Sequence, residues 1–181
     1  MQKFGLVCAL FLFAGLASAQ VPTSGNVFFG YSYYNASPLP IETGRTNLNG
    51  WEASLEGKVI PWVGIVADFS EQYGPSSASC SVGSGDCSGV IAHEQNFLFG
   101  PRLSMSVGKF RPFAEALFGG AHVTTNGVGS DTAFATAVGG GLDYKIIRPI
   151  AIRFQGDYVQ TRFFDDTQNN LRLSTGIVLR F

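Results

Sequence analysis

Beyond its first 19 residues the chain has no run of the roughly 18 to 20 consecutive apolar residues that a membrane-spanning helix requires. Charge is also scarce. Asp, Glu, Lys and Arg make up 14% of the sequence, against about 25% in a typical soluble domain. There is no basic excess, the formal net charge being −1, so nothing marks a nucleic-acid partner. The two histidines, His93 at a loop edge and His122 on the face that carries Phe118, have no Ser or Cys at a spacing that suggests a nucleophilic relay. No catalytic residue is assigned, and no enzyme is expected. No cofactor is expected either: Gly139-Gly140-Gly141 lies in a strand pattern with no helix after it, which excludes a phosphate cradle.

Cysteine is equally sparse. Cys8 falls in the N-terminal leader, and Cys80 and Cys87 remain. An even pair in an exported chain predicts a disulfide, with two free thiols as the alternative. Two thiolates without a second pair nearby do not complete a tetrahedral metal set, so no metal is expected. The leader, residues 1–19, carries Lys3, an apolar segment over 4–16 and the small-x-small site Ala17-Ser18-Ala19, the layout of a cleaved export signal. The mature domain is then 20–181, a length suited to one domain.

What the mature chain does have is alternation. Period two runs through almost all of it, and helical periodicity appears nowhere. Eight strands are predicted, at 26–35, 50–58, 62–73, 94–107, 111–124, 131–145, 150–162 and 170–181. The connections at 59–61, 108–110 and 146–149 read as tight turns. Those at 36–49, 74–93, 126–130 and 163–169 read as longer polar loops, and an up-and-down membrane barrel shows this alternation.

One face of each strand is apolar: Trp51, Ala53 and Leu55 in the second, Ile152, Phe154 and Tyr158 in the seventh, Leu171, Leu173, Ile177 and Leu179 in the last. The opposite face carries charges of both signs. Glu52, Glu56, Lys58, Asp68, Arg102, Glu115, Asp143, Lys145, Arg153, Asp157, Arg172 and Arg180 form the predicted inward set. Either face could be inside. Strand lengths suited to a tilted bilayer span favour lipid outside and charge inside. So do aromatics near strand ends, among them Phe29, Tyr31, Trp51, Trp62, Tyr73, Tyr144 and Phe163.

The stretch 171–181, Leu-Arg-Leu-Ser-Thr-Gly-Ile-Val-Leu-Arg-Phe, alternates and ends on Phe181. It is similar to the C-terminal signal that the bacterial barrel-assembly machinery reads. With the leader and eight strands, the mature chain resembles the OmpA/OmpX-type outer-membrane β-barrel family, as the barrel alone and without a peptidoglycan-binding domain. The resemblance implies an all-β fold, an eight-stranded antiparallel up-and-down transmembrane barrel. It also implies outer-membrane lipid and the assembly machinery as partners and a location in the bacterial outer membrane.

An eight-stranded lumen is just wide enough to be filled by its own side chains. The leading expectation is therefore a structural or surface-interaction protein with long loops outside, able to meet an extracellular partner through them. A small channel is the first alternative and a soluble, lipocalin-like binding barrel the second. Residues 20–181 refolded in detergent should migrate differently on gels before and after boiling, with a β-type circular dichroism spectrum. Solubility in plain buffer with no band shift would return the soluble barrel.

Overall fold

The computed structural model describes residues 24–37, 45–75, 91–125, 129–163 and 167–181. The leader's 1–19, Cys80 and Cys87 lie outside the described residues. Eight strands follow one another: β1 (Gly25–Ala36), β2 (Thr46–Ile60), β3 (Val63–Pro75), β4 (Ile91–Ser104), β5 (Phe110–Thr125), β6 (Gly129–Lys145), β7 (Ile150–Thr161) and β8 (Gln168–Arg180). Each pairs antiparallel with the next. β1 also pairs with β8, from Asn26 opposite Arg180 to Asn35 opposite Leu171, which closes the barrel. No sheet edge is left to be satisfied by solvent.

Burial settles which face is inside. Arg102, Arg153 and Arg172 are 0% exposed, whereas Phe134 is 65% and Phe29 61% exposed. The last strand alternates buried and exposed along most of its length, with Leu171, Leu173, Ile177 and Leu179 all outward. An apolar exterior around a polar interior is the reverse of a soluble barrel. Such an exterior is stable against lipid and costly in water, since each square ångström of apolar surface kept from water contributes about 25 cal/mol. The exposed aromatics stack along the wall, Phe29 on Trp51 and Trp51 on Phe69, with centroids 5.9 and 5.3 Å apart.

The expected strands all form, with shifted ends. β2 begins at Thr46 rather than at 50, because Asn47 and Asn49 continue the ladder facing outward. The Tyr33 hydroxyl donates to Asn47 Oδ1 at 2.9 Å and the Tyr31 hydroxyl donates to Asn49 Oδ1. β2 also runs past the expected turn to Ile60, with a register shift between Lys58 and Ile60. β4 stops at Ser104, short of Val107, which forms only an isolated bridge to Phe110. That bridge closes a tight turn on Gly108, whose φ of 64° is a handedness that glycine adopts freely. The connection expected at 126–130 shrinks to 126–128, shorter than the turn at 105–109, so the strict short–long alternation does not hold. The two ends are called below the turn end, with 61–62, 105–109 and 146–149, and the loop end, with 37–45, 76–90, 126–128 and 162–167.

The glycine run of β6 makes room inside the wall. A Cβ on Gly139 would stand 2.1 Å from Asp157 Oδ1, and one on Gly141 would stand 2.8 Å from the Phe113 ring. The run thus serves two buried side chains. Gly156 on the outer face is different, its nearest neighbour being a Leu173 methyl carbon at 3.3 Å. Gly139→Ala should therefore destabilise the barrel by about 1–3 kcal/mol through overpacking, while Gly156→Ala should change it little. Unfolding midpoints of the two variants in urea check this, and equal midpoints would contradict it.

Candidate functional site: the charged lumen

The pleat of each strand places every second side chain on the barrel axis. Asp68 on β3, Glu52 on β2, Asp157 on β7 and Arg172 on β8 meet at mid-height although they are far apart in sequence. Arg172 holds all three acids: Nη1 lies 2.7 Å from Asp68 Oδ1, Nη2 2.8 Å from Asp157 Oδ2 and Nε 3.4 Å from Glu52 Oε2. Its Nη1 also donates to Ser70 Oγ at 3.1 Å. Ser174 Oγ donates to Glu52 Oε2. Gln155 Nε2 shares its two protons among Glu52, Glu115 and Asp157, at 3.0, 3.0 and 2.9 Å.

Toward the turn end a second group forms around Arg102. Its Nε donates to Glu115 Oε2 at 2.7 Å and its Nη1 to Glu56 Oε2 at 3.3 Å. Glu56 also takes Lys58 Nζ at 2.5 Å and the Asn26 amide at 2.6 Å. A third group joins Arg153 to Asp143 through two contacts, Nε to Oδ1 at 2.7 Å and Nη2 to Oδ2 at 3.2 Å, with Arg180 Nη2 also 3.2 Å from Asp143. Asn26 ties the second group to the third, accepting from Arg153 Nη2 at 3.2 Å. The Phe113 ring lies between the two guanidiniums, 4.5 Å from that of Arg102 and 4.6 Å from that of Arg153, an arrangement in which the ring faces attract both cations.

Every predicted lumen residue thus faces the axis, and the structure gathers all but Lys145 into ion-paired groups. Three inward charged residues escaped sequence reasoning: Glu94, Arg111 and Asp131, the last opposite the buried Val123. Glu94 accepts from the Tyr34 hydroxyl at 2.7 Å and from Asn96 Nδ2 at 3.3 Å. Arg111 reaches Ser104 Oγ at 2.9 and 3.2 Å. The available signal was parity: Glu94 is an even number of residues from Arg102, and Arg111 from Glu115. Among the described residues the inward positions then carry eight acids (Glu52, Glu56, Asp68, Glu94, Glu115, Asp131, Asp143, Asp157) and seven bases (Lys58, Arg102, Arg111, Lys145, Arg153, Arg172, Arg180).

The lumen is not charged throughout, as the sequence led one to expect. Tyr34, Leu48, Ala121, Val123, Val159 and Phe163 form a buried apolar cluster at the loop end, reaching down to Val66, Leu98 and Leu117. Phe163, expected in an exterior girdle, is 2% exposed and sits in this cluster because the chain turns inward after β7. The loop-end hollow above it measures about 30 Å³ and includes Glu94 and Phe163 in its lining. The histidines stay on the exterior rim. His93 lies against the Tyr73 ring at 5.5 Å, and His122 Nδ1 lies 2.7 Å from Thr132 Oγ1. Among the described residues no group of three His, Cys, Asp or Glu side chains could hold a metal ion.

No protein-family model and no curated protein matches the sequence. Solved structures do match the fold. Neisserial surface protein A superposes with a TM-score of 0.68 at 12% identity, over 87% of this chain and 97% of that one. Ail, the attachment invasion locus protein of Yersinia pestis, gives 0.57 at 13%, over 87% and 98%. The outer membrane protein OprG of Pseudomonas aeruginosa gives 0.54 at 7%, over 87% and 95%. The fold is therefore the closed eight-stranded barrel of bacterial outer-membrane proteins.

Breaking a buried ion pair by removing one partner costs about 3–5 kcal/mol, because the other charge is left without compensation. Arg172→Met leaves three carboxylates in that state and should lose at least this much, read as a lower unfolding temperature on the gel-shift assay. The triple change of Arg172→Met with Asp68→Asn and Asp157→Asn should recover much of the loss. No recovery would show that packing, and not charge pairing, dominates there.

Proposed function

We propose that the chain is an integral protein of the bacterial outer membrane, a plugged scaffold that holds its loop-end connections at the cell surface. The observation that carries this reading is the complete burial of the Arg172 and Arg102 groups across the lumen. Ions would have to part both groups to pass. The apolar cluster under the loop end adds a second seal. The similar fold of a Neisserial surface protein and of an attachment protein supports a surface role. The loops would meet an extracellular partner, since binding residues concentrate on loops carried by a rigid scaffold.

Several parts of this reading go with it. The leader 1–19 is cleaved before Gln20. Cys80 and Cys87 form a disulfide that pins the connection 76–90. The barrel-assembly machinery reads the strand that ends on Phe181. That residue already pairs with the first strand: Gly25 N donates to Phe181 O at 3.0 Å and Phe181 N to Gly25 O at 3.1 Å. The role is structural and non-enzymatic.

In planar lipid bilayers the purified barrel should pass no steady current. A steady conductance that changes with Arg102→Gln or Glu115→Gln would overturn the plugged scaffold and establish a small channel.

A further inference from the structure

The inward bases are not spread evenly along the axis. Lys58, Arg111, Lys145 and Arg180 crowd the turn end, whereas Glu52, Asp68, Asp157 and Glu94 lie from mid-height to the loop end. Two carboxylates, Glu56 and Asp143, reach the turn-end bases, and both are already engaged deeper in the lumen. Glu56 takes Lys58 at 2.5 Å as well as Arg102 at 3.3 Å and Asn26 at 2.6 Å, and Asp143 is held twice by Arg153. Lys58 is held by Glu56 and donates to Ser104 Oγ at 2.6 Å, and what remains in carboxylate contact for the two arginines of the mouth is thin. Arg111 stands 3.8 Å from its nearest carboxylate oxygen, Glu56 Oε1. Arg180 offers one nitrogen to Asp143, and its buried Nε has no hydrogen-bond partner among the described residues. Lys58, Arg111 and Arg180 line an open hollow of about 510 Å³. Arg180 also borders an adjoining hollow of about 290 Å³ with Lys145 and Arg148.

We propose that this turn-end mouth binds a phosphate oxyanion, held by Lys58, Arg111 and Arg180 with Lys145 and Arg148 at its margin. Planar guanidinium forks match the paired oxygens of a phosphate, which a halide does not offer. Several cations around one concave, low-dielectric opening add their fields there and draw in multivalent anions. The Arg180 Nε–H is enclosed and has no acceptor among the described residues, so that guanidinium is only partly engaged by Asp143. The phosphate can come from two sources: a dissolved phosphate ester or polyphosphate, or the phosphodiester head group of a phospholipid whose chains lie on the exposed rim residues Val59, Ile60 and Ile147. The site is independent of whether the lumen conducts.

The test uses the mature barrel, ¹⁵N-labelled at arginine, in maltoside micelles and in phosphatidylglycerol nanodiscs, with pyrophosphate as the soluble probe. Saturable shifts of the Arg111 and Arg180 Nε–H resonances in micelles, absent with sodium chloride at equal ionic strength, are expected and identify a soluble ligand. Resonances already displaced in nanodiscs and insensitive there to pyrophosphate assign the site to the head group. Shifts reproduced by chloride, or no shift in either medium, would overturn the proposal. Arg111→Gln combined with Arg180→Gln should weaken pyrophosphate binding by about tenfold or more, the effect of losing charge-assisted contacts. If that variant fails the gel-shift assay for folding, Arg148→Glu on the exposed 146–149 turn serves instead. It should weaken binding by about threefold, as a screened rim charge does, and unchanged affinity in it would count against the site.

Discussion

The structure depends on one constraint: in hydrocarbon, every backbone N–H and C=O of a strand must find its partner in another strand. β1 pairs with β8 for this reason, and the sheet closes on itself. Closure with eight strands sets the bore, and a bore of this size has to be filled by side chains. Lipid outside has already claimed the apolar face of each strand, so the fill must come largely from the polar face. The charges in the lumen therefore follow from the medium around the barrel. They also need mutual neutralisation, because isolated buried charge is costly.

That neutralisation runs along the wall, where Arg102–Glu115, Arg153–Asp143 and Arg172–Asp157 join directly paired residues of adjacent strands, and also across the bore. Arg172 on β8 reaches Asp68 on β3, and Arg102 on β4 reaches Glu56 on β2. Each such contact pins two strands that are not neighbours. The glycines of β6 matter at this level, since without the gap at Gly139 the Asp157 carboxylate could not stand where Arg172 finds it. The apolar cluster at the loop end does the same filling with dispersion contacts in place of ion pairs.

Strand number, facing and closure were legible in the sequence because a two-residue period survives translation into a two-faced wall. Phe154 and Arg153 report opposite faces wherever the strand tilts. What failed was set by context. Asn47 and Asn49 look like loop residues until the Tyr33 and Tyr31 hydroxyls are opposite them. Phe163 looks like a girdle aromatic until the chain bends inward after β7. Glu94 and Arg111 had the right parity but sat at the edges of the expected strands. The pairings themselves were out of reach, because which acid meets Arg172 depends on strand tilt and stagger, and neither is written in a single chain's alternation. The Cys80–Cys87 pairing lies outside the described residues.

The register of β1 against β8 has a kinetic meaning. Its partners, Asn26 with Arg180 and Asn35 with Leu171, are separated by nearly the whole barrel sequence, whereas every other ladder joins consecutive strands. All local hairpins can form while this one long-range contact is still missing. Until it forms, the sheet is an open ribbon with two bare edges, and its charged face has no bore to hide in. Such a ribbon is stable neither in water, where its greasy face aggregates, nor in hydrocarbon, where its edges and charges are stranded. Entry into an apolar phase and closure of the ring are therefore coupled, since each protects what the other would leave exposed.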